Sequence, residues 1–131
     1  MKMPEYVQQV IDKQELHILS TASKEGHPNI IYLKFLKVYD EEHILIADNK
    51  FYKTEANLTE NPRLAFVVLD EENHAAYQLK GSVEFHTSGQ VFEETRRWVL
   101  DEQPHPDIYP KSAVLLHVER IYRGTEQIRE Q

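Results

Sequence analysis

The stretch Ala47-Asp48-Asn49-Lys50-Phe51-Tyr52-Lys53-Thr54-Glu55-Ala56-Asn57 decides how this chain is read. It follows the apolar run His43-Ile44-Leu45-Ile46-Ala47, which has the length of a strand, and Asp48-Asn49 ends that strand. Helix formers then fill residues 50–59 until Asn61-Pro62, where proline disfavours helical geometry in the residue before it. A strand thus delivers the chain to the start of a helix. There, free backbone N–H groups and the positive end of the helix dipole favour an anion. Lys53 and Thr54 add a cation and a hydroxyl donor, the components of a phosphate cradle. Taken alone, the pair also reads as an ordinary helix start, with Thr54 as the cap, Lys53 solvated and Asn57 supporting the turn.

Toward the N-terminus, Tyr6, Val7, Val10 and Ile11 recur at helical spacing after Pro4, which predicts a short amphipathic helix ending near Lys13 and covering one end of a barrel. Leu16 to Thr21 reads as a strand, Ser23-Lys24-Glu25-Gly26 as a turn, and Pro28 to Val38 as a second strand completing a hairpin. Toward the C-terminus, Arg63 to Leu69 and Ala75 to His86 read as strands around the turn Asp70-Glu71-Glu72-Asn73, with a bulge or bend at Gly81. Val91, Phe92, Thr95, Trp98 and Val99 place an amphipathic helix at residues 90–102. Gln103 to Pro110 is a proline-rich loop, Ser112 to Tyr122 is the last strand, and the charged tail after Gly124 is expected to fray. Six strands joined mostly by short turns, with three helices, predict a mainly β protein, a six-stranded antiparallel barrel formed by residues 1–131 as one domain.

The bulk properties narrow the function. A formal net charge of −7 argues against wholesale binding to nucleic acid, which needs many cations on phosphates, so an anionic ligand must be held locally. With no cysteine there are no disulfides, thiolate zinc sites, iron–sulfur clusters or thiol nucleophiles. Residues 1–11 lack the apolar core of a signal peptide, and no stretch approaches the roughly 20 apolar residues of a membrane span, so a soluble cytoplasmic protein is expected.

Further segments carry a resemblance: Gly26-His27-Pro28-Asn29, Leu36-Lys37-Val38 with Asp40, Ile46-Ala47-Asp48-Asn49, Lys53-Thr54-Glu55-Ala56-Asn57-Leu58, Glu60-Asn61-Pro62-Arg63, Lys80-Gly81-Ser82, and Phe92-Glu93-Glu94 after Gly89. In this order the chain resembles, over nearly its whole length, the pyridoxamine 5'-phosphate oxidase-like, FMN-binding split-barrel superfamily, especially its small single-domain FMN-binding proteins. The resemblance implies an FMN phosphate held by Lys53 and Thr54, Lys37 near the flavin, and Tyr32, Leu33, Lys34 and Phe35 along the isoalloxazine ring. It also implies contacts from Ala47, Asp48 and Asn49, and a homodimer with flavin in the groove between subunits. The larger oxidases carry an arginine where this chain has Tyr32, and an Arg-Lys pair where it has Lys53-Thr54. That departure argues against pyridoxamine phosphate oxidation and leaves FMN binding intact.

Other constellations read as structural. None of the seven histidines falls at a recognised metal-ligand spacing, and His17 and His117 are expected outward or at a sheet edge, so no metal is expected. Trp98 reads as a core or interface anchor, with flavin stacking from a partner subunit as the alternative. Glu41-Glu42, Asp70-Glu71-Glu72 and Glu93-Glu94 read as solvated groups. Two functional classes stay open: an FMN oxidoreductase passing electrons between a donor such as a nicotinamide and an acceptor, and a flavin or haem carrier without turnover.

Overall fold

The structure, a computed structural model, describes residues 1–49, 53–102 and 110–130. The elements run α1 (Glu5–Lys13), β1 (His17–Ala22), β2 (Pro28–Leu33), β3 (Leu36–Asp40), β4 (His43–Asp48), α2 (Lys53–Glu60), β5 (Arg63–Asp70), β6 (Ala75–His86), α3 (Gln90–Glu102), β7 (Ser112–Arg123) and β8 (Glu126–Ile128). The strands form one antiparallel sheet in the order β2-β1-β5-β6-β7-β4-β3, with β8 added on β7. Its first and last members, β2 and β3, are consecutive in the chain, so the sheet curls into a split barrel.

The strand count is eight where six were expected, for two local reasons. The expected strand from Pro28 to Val38 breaks at Lys34 and Phe35, where the Leu36 amide bonds the Lys34 carbonyl at 3.1 Å; β2 then pairs with β1 and β3 with β4. The tail expected to fray turns at Gly124 and pairs Glu126–Ile128 with Ile121–Arg123. Charge in the tail did not prevent pairing, because Ile128 packs against the main core.

Alternation explains most of the strands. In β1, His17, Leu19 and Thr21 are buried while Ile18 is exposed. In β4 the run is buried on both faces: Ile44 and Ile46 enter the main core, while Leu45 and Ala47 meet the layer that α3 covers through Val91, Trp98 and Val99. That double burial is why the sequence there is continuously apolar and not alternating. The helix α1 buries Val7 and Ile11 in the core beside Leu36, Phe66 and Val68.

The irregularity expected at Gly81 is present. Lys80 pairs with Arg120 and Gly81 with Val118, so the additional residue, Glu119, lies on β7. Glu119 and Arg120 consequently both face outward, breaking the alternation. His117 is exposed, as expected. His17 is not: it is 0 % exposed, packed edge-on against Phe66 at 6.4 Å, and neither ring nitrogen has a hydrogen-bond partner. Its position in β1 carries the same inward phase as Leu19 and Thr21, and that phase overrides the polarity of the ring.

Candidate functional site

The strand-to-helix junction is built from β4, α2 and the start of β7. Ala47 donates its amide to the Phe35 carbonyl at 3.0 Å, which ties the end of β4 to the break before β3. Asp48 is fully buried; its Oδ2 accepts from Ser112 Oγ at 3.1 Å and its carbonyl accepts from the Lys111 amide at 2.6 Å. Lys111 in turn reaches α2, with Nζ 3.3 Å from Glu55 Oε2. Asn49 presents a buried Oδ1 that has no hydrogen-bond partner among the described residues. Residues 50–52 lie outside the described residues, so the expected helical start at Lys50 is not tested, and α2 is described from Lys53.

Lys53 is exposed and forms no ion pair among the described residues. Thr54 is only 2 % exposed, and its Oγ1 accepts from Asn29 Nδ2 at 3.1 Å. The hydroxyl therefore first fastens α2 to β2, retaining its own proton for donation. Asn57, one turn on, donates to Thr21 Oγ1 of β1 at 3.1 Å, and Asn61 donates to the Ala22 carbonyl at 3.4 Å. Thr54, Asn57 and Asn61 thus form a row of polar ties that orients α2 on the β1–β2 hairpin.

A second group forms under α3. Phe35 meets the Trp98 ring edge-on at 5.5 Å, in a cluster with Ala47 and Val99. The Lys37 ammonium lies 4.5 Å from the centre of the Trp98 ring, a cation–π geometry. Trp98 is half-buried; its packing on Phe35 anchors α3 on the sheet, while its Nε1–H is donated to Glu102 one turn on in the same helix. Glu94, expected to be merely solvated, accepts from Tyr39 at 2.7 Å and from Gln90 at 3.0 Å. The bonds from Gln90 and Tyr39 hold the Glu94 carboxyl below its ordinary range, and the bond to Glu94 pushes the Tyr39 phenol up.

The expected residues therefore fall in three places. Lys53, Thr54 and Asn57 lie on α2, Ala47, Asp48 and Asn49 lead into it, and Phe35 and Lys37 sit under α3, joined to β4 through the Ala47–Phe35 bond. Tyr32 is 75 % exposed and points outward with Ile18 and Ile30, Leu33 is half-buried against the core, and Lys34 is exposed at the break. Local pattern did not single out Asn29, Thr21, Ser112 or Lys111 as partners of the site. Their signal is the pairing of distant strands, which no window of sequence carries.

Comparison with known proteins adds the family. Residues 3–123 match the family model described as pyridoxamine 5'-phosphate oxidase. An uncharacterised protein of Methanocaldococcus jannaschii, MJ0282, is 35 % identical over 112 residues, spanning 84 % of this chain and 73 % of that protein. Among solved structures, HupZ of Group A Streptococcus superposes with a TM-score of 0.84 at 22 % identity, over 98 % of this chain and 99 % of the other. An FMN-binding protein from Syntrophomonas wolfei gives 0.79 at 21 % identity, over 95 % and 87 %.

Proposed function

This chain belongs to the pyridoxamine 5'-phosphate oxidase family, and from that premise we propose that it is an FMN-binding flavoprotein that holds the cofactor phosphate at the start of α2. One observation carries the reading: a single strand-to-helix junction combines, among the described residues, an ammonium without an anionic partner, Lys53, with a buried amide oxygen without a donor, Asn49. Unpaired buried polar atoms are uncommon in native proteins, and a ligand is one of the few things that satisfies them.

The residues present fit the group. Lys53 would pair with the phosphate, and Asn49 Oδ1 would accept an N–H or hydroxyl of the cofactor. Asp48, bolted to Ser112 and Lys111, keeps Ala47, Asp48 and Asn49 from moving, while Thr54 and Asn57 brace α2 against the hairpin. The segment Tyr32 to Phe35 would border the ring, and Lys37, held over Trp98, would add positive charge on that side. Bound FMN supplies electron and hydride transfer at its isoalloxazine ring, so no side chain need act as acid or base.

We read the chain as an oxidoreductase passing electrons between a reduced donor such as a nicotinamide and an acceptor. It works as a homodimer with the flavin in the groove between subunits. The dimer reading is supported by the outward face of β1, β2 and β5, where Ile18, Ile30, Tyr32 and Leu69 are 47 %, 69 %, 75 % and 54 % exposed. Such a patch on a small protein marks a docking surface, and a second copy offers a matching one. Among the described residues no helix is long and apolar enough to cross a membrane.

The absorption spectrum of the purified protein tests the cofactor: flavin bands support the reading, and a Soret band replaces it with haem. Anaerobic addition of NADH or NADPH should bleach those bands; unchanged bands under both donors favour a carrier. Replacing Lys53 with alanine removes a charge-assisted hydrogen bond of about 1.5–3 kcal/mol, so FMN affinity should fall roughly 10- to 150-fold. An unaltered dissociation constant moves the phosphate elsewhere.

A further inference from the structure

The bulge at Gly81 has placed charge where ordinary strand alternation would not. Glu119 and Arg120 both project from the outward face of β7, and Arg120 sits directly across from Lys80 on β6. Lys80 lies with Nζ 5.4 Å from the centre of the Tyr122 ring, and Arg63 at the start of β5 reaches Glu119 at 2.8 Å. These four charged side chains line one open cleft of about 530 Å³, with Thr21 and Asn61 among its walls.

The charges in the cleft do not balance. Glu119 is paired with Arg63, which leaves Lys80 and Arg120 with no carboxylate partner among the described residues. Like charges directly opposite one another across an antiparallel pair destabilise a sheet. Here they are concentrated in a chain whose formal net charge is −7. A bulge is a device that re-aims side chains, and this one aims a second cation at the first. The cleft volume lies within the roughly 300–1,000 Å³ of small-molecule sites.

We propose that the cleft between Arg63, Lys80 and Arg120 is a second ligand site, one that binds a multiply charged, phosphate-bearing small molecule. An anion between Lys80 and Arg120 relieves their repulsion, while Arg63, steadied by Glu119, adds a planar donor fork suited to phosphate oxygens. The site is separate from the cradle at Lys53. Asn61 follows the C-terminal end of α2 and Lys53 is its first described residue, so the eight helical residues from Lys53 to Glu60 set them about 12 Å apart. The proposal therefore stands whether or not the cradle takes FMN.

Inorganic pyrophosphate is the probe, titrated into the full chain at constant ionic strength while backbone amide shifts are followed by NMR. We expect saturable shifts at Asn61, Gly81, Glu119 and Arg120, and at least a tenfold weaker response in the Lys80→Gln/Arg120→Gln double variant. These are exposed side chains, so the variant should melt no lower than wild type in the absence of anion. It should also bind FMN as wild type does, which separates failure at the cleft from failure at the cradle. Shifts confined to residues 53–57 overturn the proposal, as does a linear, non-saturating response or a double variant that binds pyrophosphate like wild type. Repeating the titration with FMN present distinguishes the ligand's source. Continued pyrophosphate binding at the cleft identifies a separate metabolite site, whereas competition identifies the cofactor's own phosphate as the occupant and overturns a second site.

Discussion

Replacing Gly81 with alanine is expected to abolish the fold or lower its stability by at least about 4 kcal/mol, the range reached only by severe single-site defects. A Cβ at this position would stand 1.9 Å from the His117 carbonyl oxygen and 2.9 Å from both the His117 carbonyl carbon and Leu116 Cδ1. The contacting atoms belong mostly to backbone of β7, which is held between β6 and β4. Relief therefore means separating the ladder itself. The informative control is Gly26→Ala. Its Cβ meets nothing within 4 Å, but the residue has φ +89°, so the cost is conformational, about 1–2 kcal/mol. Thermal melts of the two variants should be far apart, and a Gly81→Ala protein melting with Gly26→Ala would contradict the close approach of β6 and β7.

The second large effect concerns acid. Burial lowers the pKa of His17 from its ordinary 6.5, against smaller raising contributions from the Gln14 carbonyl and the Asp12 carboxylate. The unfolded chain takes up a proton near 6.5 while the folded chain resists it, so the unfolded state binds more protons as pH falls. His17's contribution is therefore neutral above that pH. Below it stability drops by up to about 1.4 kcal/mol per pH unit, until the folded-state pKa is passed. His17→Leu removes two unpaired buried nitrogens and should stabilise the protein by about 1–2 kcal/mol at pH 7. The gap in melting temperature should widen on acidification. Carboxylates titrate in both proteins, so the difference between the two curves isolates the imidazole; parallel curves from pH 7 to pH 5 would show that His17 is not the group responsible.

Much of this architecture was legible because strand and helix periods are local. The helix at 90–102 emerged from residue spacing, and the irregularity at Gly81 from a glycine that interrupts the strand pattern of Ala75–His86. What escaped was set by partners far along the chain. The break at Lys34 and Phe35 exists because the two halves of one extended run pair with different strands, β1 and β4. The burial of His17 follows from a phase shared with Leu19 and Thr21, against the usual exposure of polar rings. At the candidate site, Lys53 and Thr54 stood out as a pair, but only the folded chain separates them into an exposed cation and a buried tie to Asn29. Asp48 ends β4, as its place in the sequence suggested, and is also a fixed post on which Ser112 and Lys111 converge, which the sequence did not show.

The two-residue break between β2 and β3 has a mechanical consequence. The terminal strands of the sheet are joined by covalent chain at Lys34-Phe35, and each has one ladder partner, β1 or β4. The wall can therefore breathe along this seam as a clasp opens, without cutting the central β5–β6–β7 ladders. Amide protons along the free edges of β2 and β3 should exchange with deuterium well ahead of those shared by β6 and β7. Because both edges curl toward each other and are hinged together, neither presents a long flat template to a stranger's strand, which guards a small, β-rich chain against edge-to-edge aggregation.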